Sequence, residues 1–396
     1  MTDTELLDLA RTFGTPLYLF DERSLRSRVE TIAQACPDRT ELCFAIKANP
    51  FVVPQMATLV PRLEVCSPGE LSICESCDID PDSIVVSGVY KDPVLMDELV
   101  AAPKLPHRFT IESLGQLELL HGLAVRHARI VPVLIRLTSG NQFGIDAETL
   151  REVIDARERY PNLAIKGVQF FSGTQKSGPR RIVREIERLD EMLGRLELEY
   201  GWRAEELEYG PGLPVAYFSD DAFDEQALLD AMGTALANLR FPGKVTLEVG
   251  RSLVAACGTY LTRVVDTKCN RGQRYAIVDG GIHHLVYYGQ SMAMRQPPCR
   301  ILQDGSGDGG AECETTWNVF GSLCTVNDIL AKQLPLAGLE PGRIIAFEQV
   351  GAYSMTEGIS LFLSRDLPAV VTVGIDGAPR LSRAAVPTHP FNTPYC

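Results

Sequence analysis

Between residues 41 and 250 the chain alternates short, predominantly apolar runs with amphipathic stretches. The runs are LCFAI (42–46), LEVCS (63–67), SIVVSG (83–88), FTIES (109–113), VPVLIRL (131–137), IKGVQFF (165–171), LEYGPG (207–212) and VTLEVG (245–250). Continuous rather than alternating apolarity predicts strands buried on both faces, as in a parallel sheet. The stretches between them predict helices. The clearest is 181–200, where Ile182, Ile186, Leu189, Leu193 and Leu196 recur at helical spacing with charges between them. Eight β units alternating with α units predict an α/β fold, a (β/α)8 TIM barrel. A doubly wound open sheet is the alternative from pattern alone.

The flanking sequence reads differently. PLYLFD (16–21) is a short strand, and Ser24 is placed to cap the amphipathic stretch SLRSRVETIAQA. After about Cys257, GTYLTRVVDTKC, RYAIVDGG, TTWNVF, RIIAFEQV and AVVTVG are short β-branched strands with turns between, and helical periodicity nearly vanishes. The expected organisation is a barrel over 23–257 and a C-terminal antiparallel β domain over 258–396, joined by residues 1–22. GSGDGG (305–310) follows no clear strand and opens no helix, so it reads as a surface loop rather than a nucleotide cradle.

Composition narrows the function classes. A net charge of -13 argues against nucleic acid or an anionic membrane as partner. No run is long enough to span a membrane, and the acidic start MTDTELLDLA does not read as a signal peptide, so a cytoplasmic protein is expected. Eleven cysteines, scattered through core-like runs, fit reduced thiols without a disulfide framework. Cys74 and Cys77 form one CxxC without a second pair, which reads as two small helix residues rather than zinc ligands. Six histidines show no metal-ligand spacing, and no metal is expected. His283 and His284 are adjacent, and on a strand they would face opposite ways.

The chemistry concentrates at the predicted strand ends, which in a parallel barrel is where reactive groups sit. The first run ends on Lys47, followed by Ala48, Asn49 and Pro50. A partly desolvated lysine loses its proton more easily and can attack an aldehyde, although a lone lysine usually just reaches out to water. The sixth run ends in Phe171, Ser172, Gly173 and Thr174, the seventh in Gly210, Pro211 and Gly212, and the eighth in Glu248, Gly250 and Arg251. Glycine-lined loops expose N–H groups that bind phosphate, and a hydroxyl and a guanidinium suit the same anion. An amine, a phosphate cradle, an aromatic plate and a carboxylate together are what pyridoxal 5'-phosphate requires.

The motifs FAIKANP, EVCSPGEL, QFGID, GVQFFSGTQ, EYGPG, EVGR, FGSLCTVND and VGAYS run in order from residue 44 to 354. In this the chain resembles the fold-type III pyridoxal-phosphate decarboxylases, the group of diaminopimelate, ornithine and arginine decarboxylases. The resemblance implies a barrel, a β domain and a homodimer with shared active sites. It implies that Lys47 carries the cofactor covalently and that Glu248 pairs with the pyridine nitrogen. Thr174, Gly210, Gly212, Gly250, Arg251 and Tyr353 would hold the phosphate, and Glu64, Arg136 and Phe171 would lie near the ring. Cys324 of the partner subunit would sit over the substrate carbon.

The departures from the family pattern bear on substrate. Phe171 replaces the histidine of the family's HxGS segment and can stack but not carry charge. Pro211 removes one N–H donor from the usual GGG. The CES or CDS motif reads Cys324-Thr325-Val326, so the acid that pairs with a distal ammonium is absent, and the segment after VDGG is altered, leaving Arg295 as a candidate contact for another group. These variants look more like the subgroup with carrier-protein-linked glutamyl decarboxylases. The expected activity is decarboxylation of an amino acid, or of an aminoacyl-carrier protein, lacking a distal ammonium. The alternatives are a diaminopimelate decarboxylase, a racemase on the same fold and a non-catalytic binding protein. A racemase would place a basic residue where Glu248 stands.

Overall fold

The computed structural model describes residues 1–290, 292–303 and 315–395; the GSGDGG loop lies outside the described residues. The chain forms two compact units. One comprises Val29–Pro214 and Phe223–Leu253, the other Met1–Arg28, Val215–Ala222 and Val254–Cys396.

After the first strand, β1 (Leu17–Asp21), the first unit supplies β2 (Thr40–Ala45), β3 (Arg62–Val65), β4 (Ile84–Val86), β5 (Arg108–Ile111), β6 (Val131–Leu137), β7 (Leu163–Phe171), β8 (Glu206–Gly210) and β9 (Lys244–Val249). They form a closed barrel in chain order. The parallel pairing of β2 with β9, including Leu42 with Leu247 and Phe44 with Val249, closes the ring and excludes the open sheet. The helix Pro179–Tyr200 buries Ile182, Ile186, Leu189, Leu193 and Leu196, the apolar stripe read from its sequence.

The second unit is a mostly antiparallel sheet of β1 with β10 (Gly258–Asn270), β11 (Gln273–Val278), β12 (Cys299–Ile301), β13 (Thr315–Phe320), β14 (Ile329–Leu336), β15 (Ile344–Glu348), β16 (Ala369–Val373) and β17 (Pro379–Arg383). Two pairings depart from the antiparallel expectation: β1 with β16 and β11 with β13 are parallel. Strands β12, β14 and β17 escape the sequence pattern because β12 is three residues long, β14 contains Pro335, and β17 is almost wholly exposed and so has no buried face. The core joins Leu17, Leu19, Leu261, Ile344, Val371 and Val373 to Leu6, Leu9 and Ala10 of the helix Asp3–Phe13, whose start is closed by reciprocal Thr2–Glu5 capping.

Two local expectations are corrected. Ser24 is not a cap: the helix Glu22–Gln34 starts before it, Asp21 Oδ1 accepts the Arg23 N–H instead, and the Ser24 hydroxyl donates to the Ala256 carbonyl. His283 and His284 lie in a turn rather than on a strand, so the alternation argument does not apply; both are buried, with ring centroids 3.7 Å apart. Among the described residues no helix is long and apolar enough to cross a membrane, and no cluster of three or more His, Cys, Asp or Glu could hold a metal ion.

Candidate functional site

Lys47 lies just past β2, in a single turn Ile46–Ala48, rather than on the strand itself. Asn49 makes the turn reproducible: its N–H closes on Ile46 O, and its side chain caps the next turn by accepting from Phe51 N at 3.0 Å. In the barrel β2 lies between β3 and β9, which bring Glu64 opposite Ala45 and Glu248 opposite Cys43. The Lys47 ammonium therefore meets a carboxylate from each neighbouring strand, Glu64 Oε2 at 2.5 Å and Glu248 Oε1 at 3.5 Å, with the Cys66 thiol at 3.5 Å.

Surroundings set the two carboxyls apart. Burial opposes ionisation of Glu64, but the Lys47 charge and the hydrogen bonds from Lys47 and Cys66 outweigh it and hold the carboxyl below its usual range. Glu248 is pushed up to about 7, chiefly by burial and then by the Glu64 charge, against the pull of Lys47 and Arg136. Burial also pushes the Cys66 thiol up, so it stands here as a neutral group.

The remaining motifs are local devices that shape this mouth. In EVCSPGEL, Ser67 caps the helix Pro68–Ser76 and Glu70 reaches back to the Cys66 N–H. In QFGID, Ile145 folds back onto the end of β6, bonding Arg136 O and Thr138 N, and Phe143 stacks on the Arg136 guanidinium at 4.8 Å. Arg136 also pairs with buried Glu112 at 3.3 Å. A buried lysine, Lys91, donates to Gly88 O at 3.1 Å; burial lowers its amine to about 8, with Glu112 opposing.

Across the barrel, the loops after β7 and β8 interlock. A Cβ on Gly210 would lie 2.5 Å from the Phe171 ring, and one on Gly212, at φ +64°, would lie 2.0 Å from Gly173 O. Only glycine permits this approach. Lys176 N donates to Gly212 O, and Arg251 Nε donates to Thr174 Oγ1 at 3.3 Å. The loops are braced by a network that the sequence reading missed. Glu185 accepts from Ser172 Oγ (2.5 Å), Lys176 Nζ (2.6 Å), Tyr209 OH (2.8 Å) and Arg181 Nε (3.1 Å). A signal existed: Glu185 falls on the apolar stripe of its helix, three residues after Ile182 and four before Leu189. These loops, a hydroxyl and a guanidinium beside the Lys47–Glu248 pair fit pyridoxal 5'-phosphate.

Gly250, beside Arg251, accepts from Leu253 N in the first unit, and the other predicted residues belong to the second. Cys324 is exposed in a turn organised by Asp328, whose buried carboxylate accepts from Leu323 N at 2.6 Å and Ile282 N at 2.8 Å. The Thr325 hydroxyl is turned toward Asn327 N at 3.4 Å. Tyr353 takes φ +63° in a turn closed by Thr356 and Glu357. Arg295 contacts Asp220 and Asp221, each at 2.6 Å, and stacks on Phe218, so its charge is already balanced within the unit.

Residues 22–255 match the family model described as pyridoxal-dependent decarboxylase, pyridoxal binding domain. A diaminopimelate decarboxylase of Aquifex aeolicus (strain VF5) is 27% identical over 376 residues, spanning 88% of this chain and 84% of the relative. An L-glutamyl-(BtrI acyl-carrier protein) decarboxylase of Niallia circulans is 26% identical over 395 residues, spanning 93% and 91%. The crystal structure of a diaminopimelate decarboxylase from M. jannaschii in complex with L-lysine shares the fold, with a TM-score of 0.85 at 22% identity over 96% of this chain and 92% of that one.

Proposed function

The chain belongs to the pyridoxal-dependent decarboxylase family, and we propose that it removes the α-carboxylate, as CO2, from an amino acid or carrier-bound aminoacyl substrate without a distal ammonium. The observation that carries this reading is the Lys47 amine set between Glu64 and Glu248 at the mouth of a closed barrel. Pyridoxal 5'-phosphate, when bound, supplies the electron sink that decarboxylation needs.

The chain's own residues divide the remaining work. Lys47 holds the cofactor covalently through its amine. Glu248, as the anion, keeps a proton on the pyridine nitrogen. Thr174, Gly210, Gly212, Gly250, Arg251 and Tyr353 bind the phosphate through N–H, hydroxyl and guanidinium groups. Phe171 packs on the ring face, while Glu64 and Arg136 border it. The protein acts as a homodimer, with Cys324 of the partner subunit donating a proton to the substrate carbon. Thr325 leaves a distal ammonium without a counter-charge, which disfavours diamino acids. The Niallia circulans relative, which acts on a carrier-linked glutamyl group by its name, supports a tethered substrate. Diaminopimelate decarboxylation is the second reading, favoured by the relatives of that name.

Two measurements test the proposal. Borohydride reduction of the purified protein with pyridoxal 5'-phosphate should leave the cofactor mass on the Lys47 peptide and on no peptide of Lys47→Ala. A CO2-release screen across amino acids and aminoacyl-carrier proteins should then find a substrate without a distal ammonium. Labelling elsewhere, or a diamino acid as the preferred substrate, would overturn the corresponding half.

A further inference from the structure

The barrel interior holds a carboxyl that the proposed reaction does not use. Glu208, on β8, is fully buried. Other barrel carboxyls are paired with cations: Glu64 with Lys47 at 2.5 Å, Glu112 with Arg136 at 3.3 Å, Glu206 with Arg108 at 2.8 Å and Glu248 with Lys47 at 3.5 Å. Among the described residues no ion pair reaches Glu208. Its one bond is to an uncharged amide, Gln169 Nε2 donating to Glu208 Oε1 at 2.8 Å. The same nitrogen donates to Glu248 Oε2 at 3.0 Å. Because β7 and β9 are not neighbours, this second bond crosses the interior.

The unmatched atoms show what is missing. Gln169 Oε1 and Glu208 Oε2 are both buried without a partner. Both are acceptors if Glu208 is ionised, and a buried unpaired carboxylate is strongly disfavoured. A proton on Glu208 Oε2 removes the charge and supplies a donor in one step. The other titratable groups around it act the same way. Burial disfavours a negative charge there first, Glu248, Glu206 and Glu64 add to it, and the Gln169 bond only partly opposes them. Cys43, on β2, is a fully buried neutral thiol beside the same carboxyls. Lys47 and Arg136 act on Glu248 and Glu64.

We propose that Glu208 is held as the neutral acid and, through Gln169, positions Glu248 as the anion. Resting on the function proposed above, this makes Gln169 and Glu208 positioning residues for the group assigned to the pyridine nitrogen. With its proton in place, Glu208 makes no demand for charge, and the Gln169 N–H₂ group stays committed to both carboxyls. Glu248, stabilised by that N–H and by Lys47, carries the negative charge of the trio.

The test begins without cofactor. Protein labelled with ¹³C at the glutamate carboxyls is compared by infrared spectroscopy at pH 9, above the value of about 7 to which Glu248 is pushed, as wild type, Glu208→Gln and Glu64→Gln. The carbonyl stretch of a neutral acid should be present in wild type and Glu64→Gln and lost in Glu208→Gln, whose amide keeps an uncharged acceptor for Gln169 Nε2 and supplies a donor. A wild-type spectrum without that band, or a band surviving in Glu208→Gln, overturns the proposal. This arm stands even if the protein is no decarboxylase. Should Glu208→Gln not fold, titration of the wild type decides: the band must persist well above the pH at which ordinary carboxyls ionise, and its loss there overturns the proposal. The positioning role is read from pyridoxal 5'-phosphate binding. Gln169→Leu should weaken it about tenfold or more, the value of a hydrogen bond to a charged group, and Gln169→Glu should not restore it. Unchanged binding by Gln169→Leu overturns the link to Glu248.

Discussion

Glu64 accepts a hydrogen bond from the Lys47 ammonium at 2.5 Å, across the pairing of two adjacent barrel strands. Its carboxyl is held below the usual range despite burial, through Lys47 first and Cys66 second. A carboxyl with a depressed folded value adds stability above its unfolded value, and loses it as pH falls through the folded value. Glu64→Gln should therefore destabilise the cofactor-free protein by about 1–3 kcal/mol at neutral pH. The gap should narrow below about pH 4, where the unfolded carboxyl takes up its proton. Thermal midpoints measured across that range check this, and a gap independent of pH would remove the ion pair from the account.

Glu248 offers a separate test. Glu248→Gln keeps the size of the side chain and removes its charge. It should retain cofactor yet decarboxylate on the order of 10²-fold more slowly, since one preorganised charged contact is worth about 3 kcal/mol. Single-turnover kinetics with a substrate from the CO2 screen measure this, and an unchanged rate would assign the pyridine nitrogen to another group.

The proposed sharing of active sites between subunits predicts complementation. Lys47→Ala and Cys324→Ala proteins, each inactive alone, should regain up to about one quarter of wild-type sites after random subunit exchange in a two-fold dimer. A mixture that stays inactive after verified exchange would put Lys47 and Cys324 in one subunit's site or make Cys324 dispensable.

Thr325 sets the substrate prediction. Lysine, ornithine and diaminopimelate should be poor substrates, because a desolvated ammonium without a partner is heavily penalised. Thr325→Glu should shift kcat/KM toward diamino acids. Wild-type kcat/KM at or above about 10⁴ M⁻¹s⁻¹ on diaminopimelate or ornithine would refute this reading of the position.

The barrel was legible because its strands are predominantly apolar and alternate with amphipathic stretches, and Lys47 and Glu248 because a charge near the end of such a strand is conspicuous. Which carboxylates meet Lys47 was not legible from local pattern: it depends on the β2 register against β3 and β9, which pairs Ala45 with Glu64 and Cys43 with Glu248. The Gln169–Glu208 pair was hidden in runs read as continuously apolar, although both residues break them at inward-facing positions. Lys176 was hidden because its partner Glu185 comes from a helix that was read only for its apolar residues. His283 and His284 were misread because the turn that brings their rings together has no apolar periodicity to mark it.

The position of β1 has a consequence for how the protein is made. Leu17 pairs with Leu261 on one side and Ala369 on the other, so β1 fills the middle of a sheet whose other strands all leave the ribosome after it. At about 5–20 residues per second, the stretch from Leu17 to Ala369 takes roughly 20–70 s to synthesise. Every barrel strand emerges within that interval, but LYLFD, buried at all five positions in the finished fold, must wait with both edges open until β10 emerges and with one edge open until β16 does. The nascent chain thus carries an uncommitted apolar strand for most of its synthesis, and shielding that strand from neighbouring chains becomes a requirement of expression rather than of the folded state.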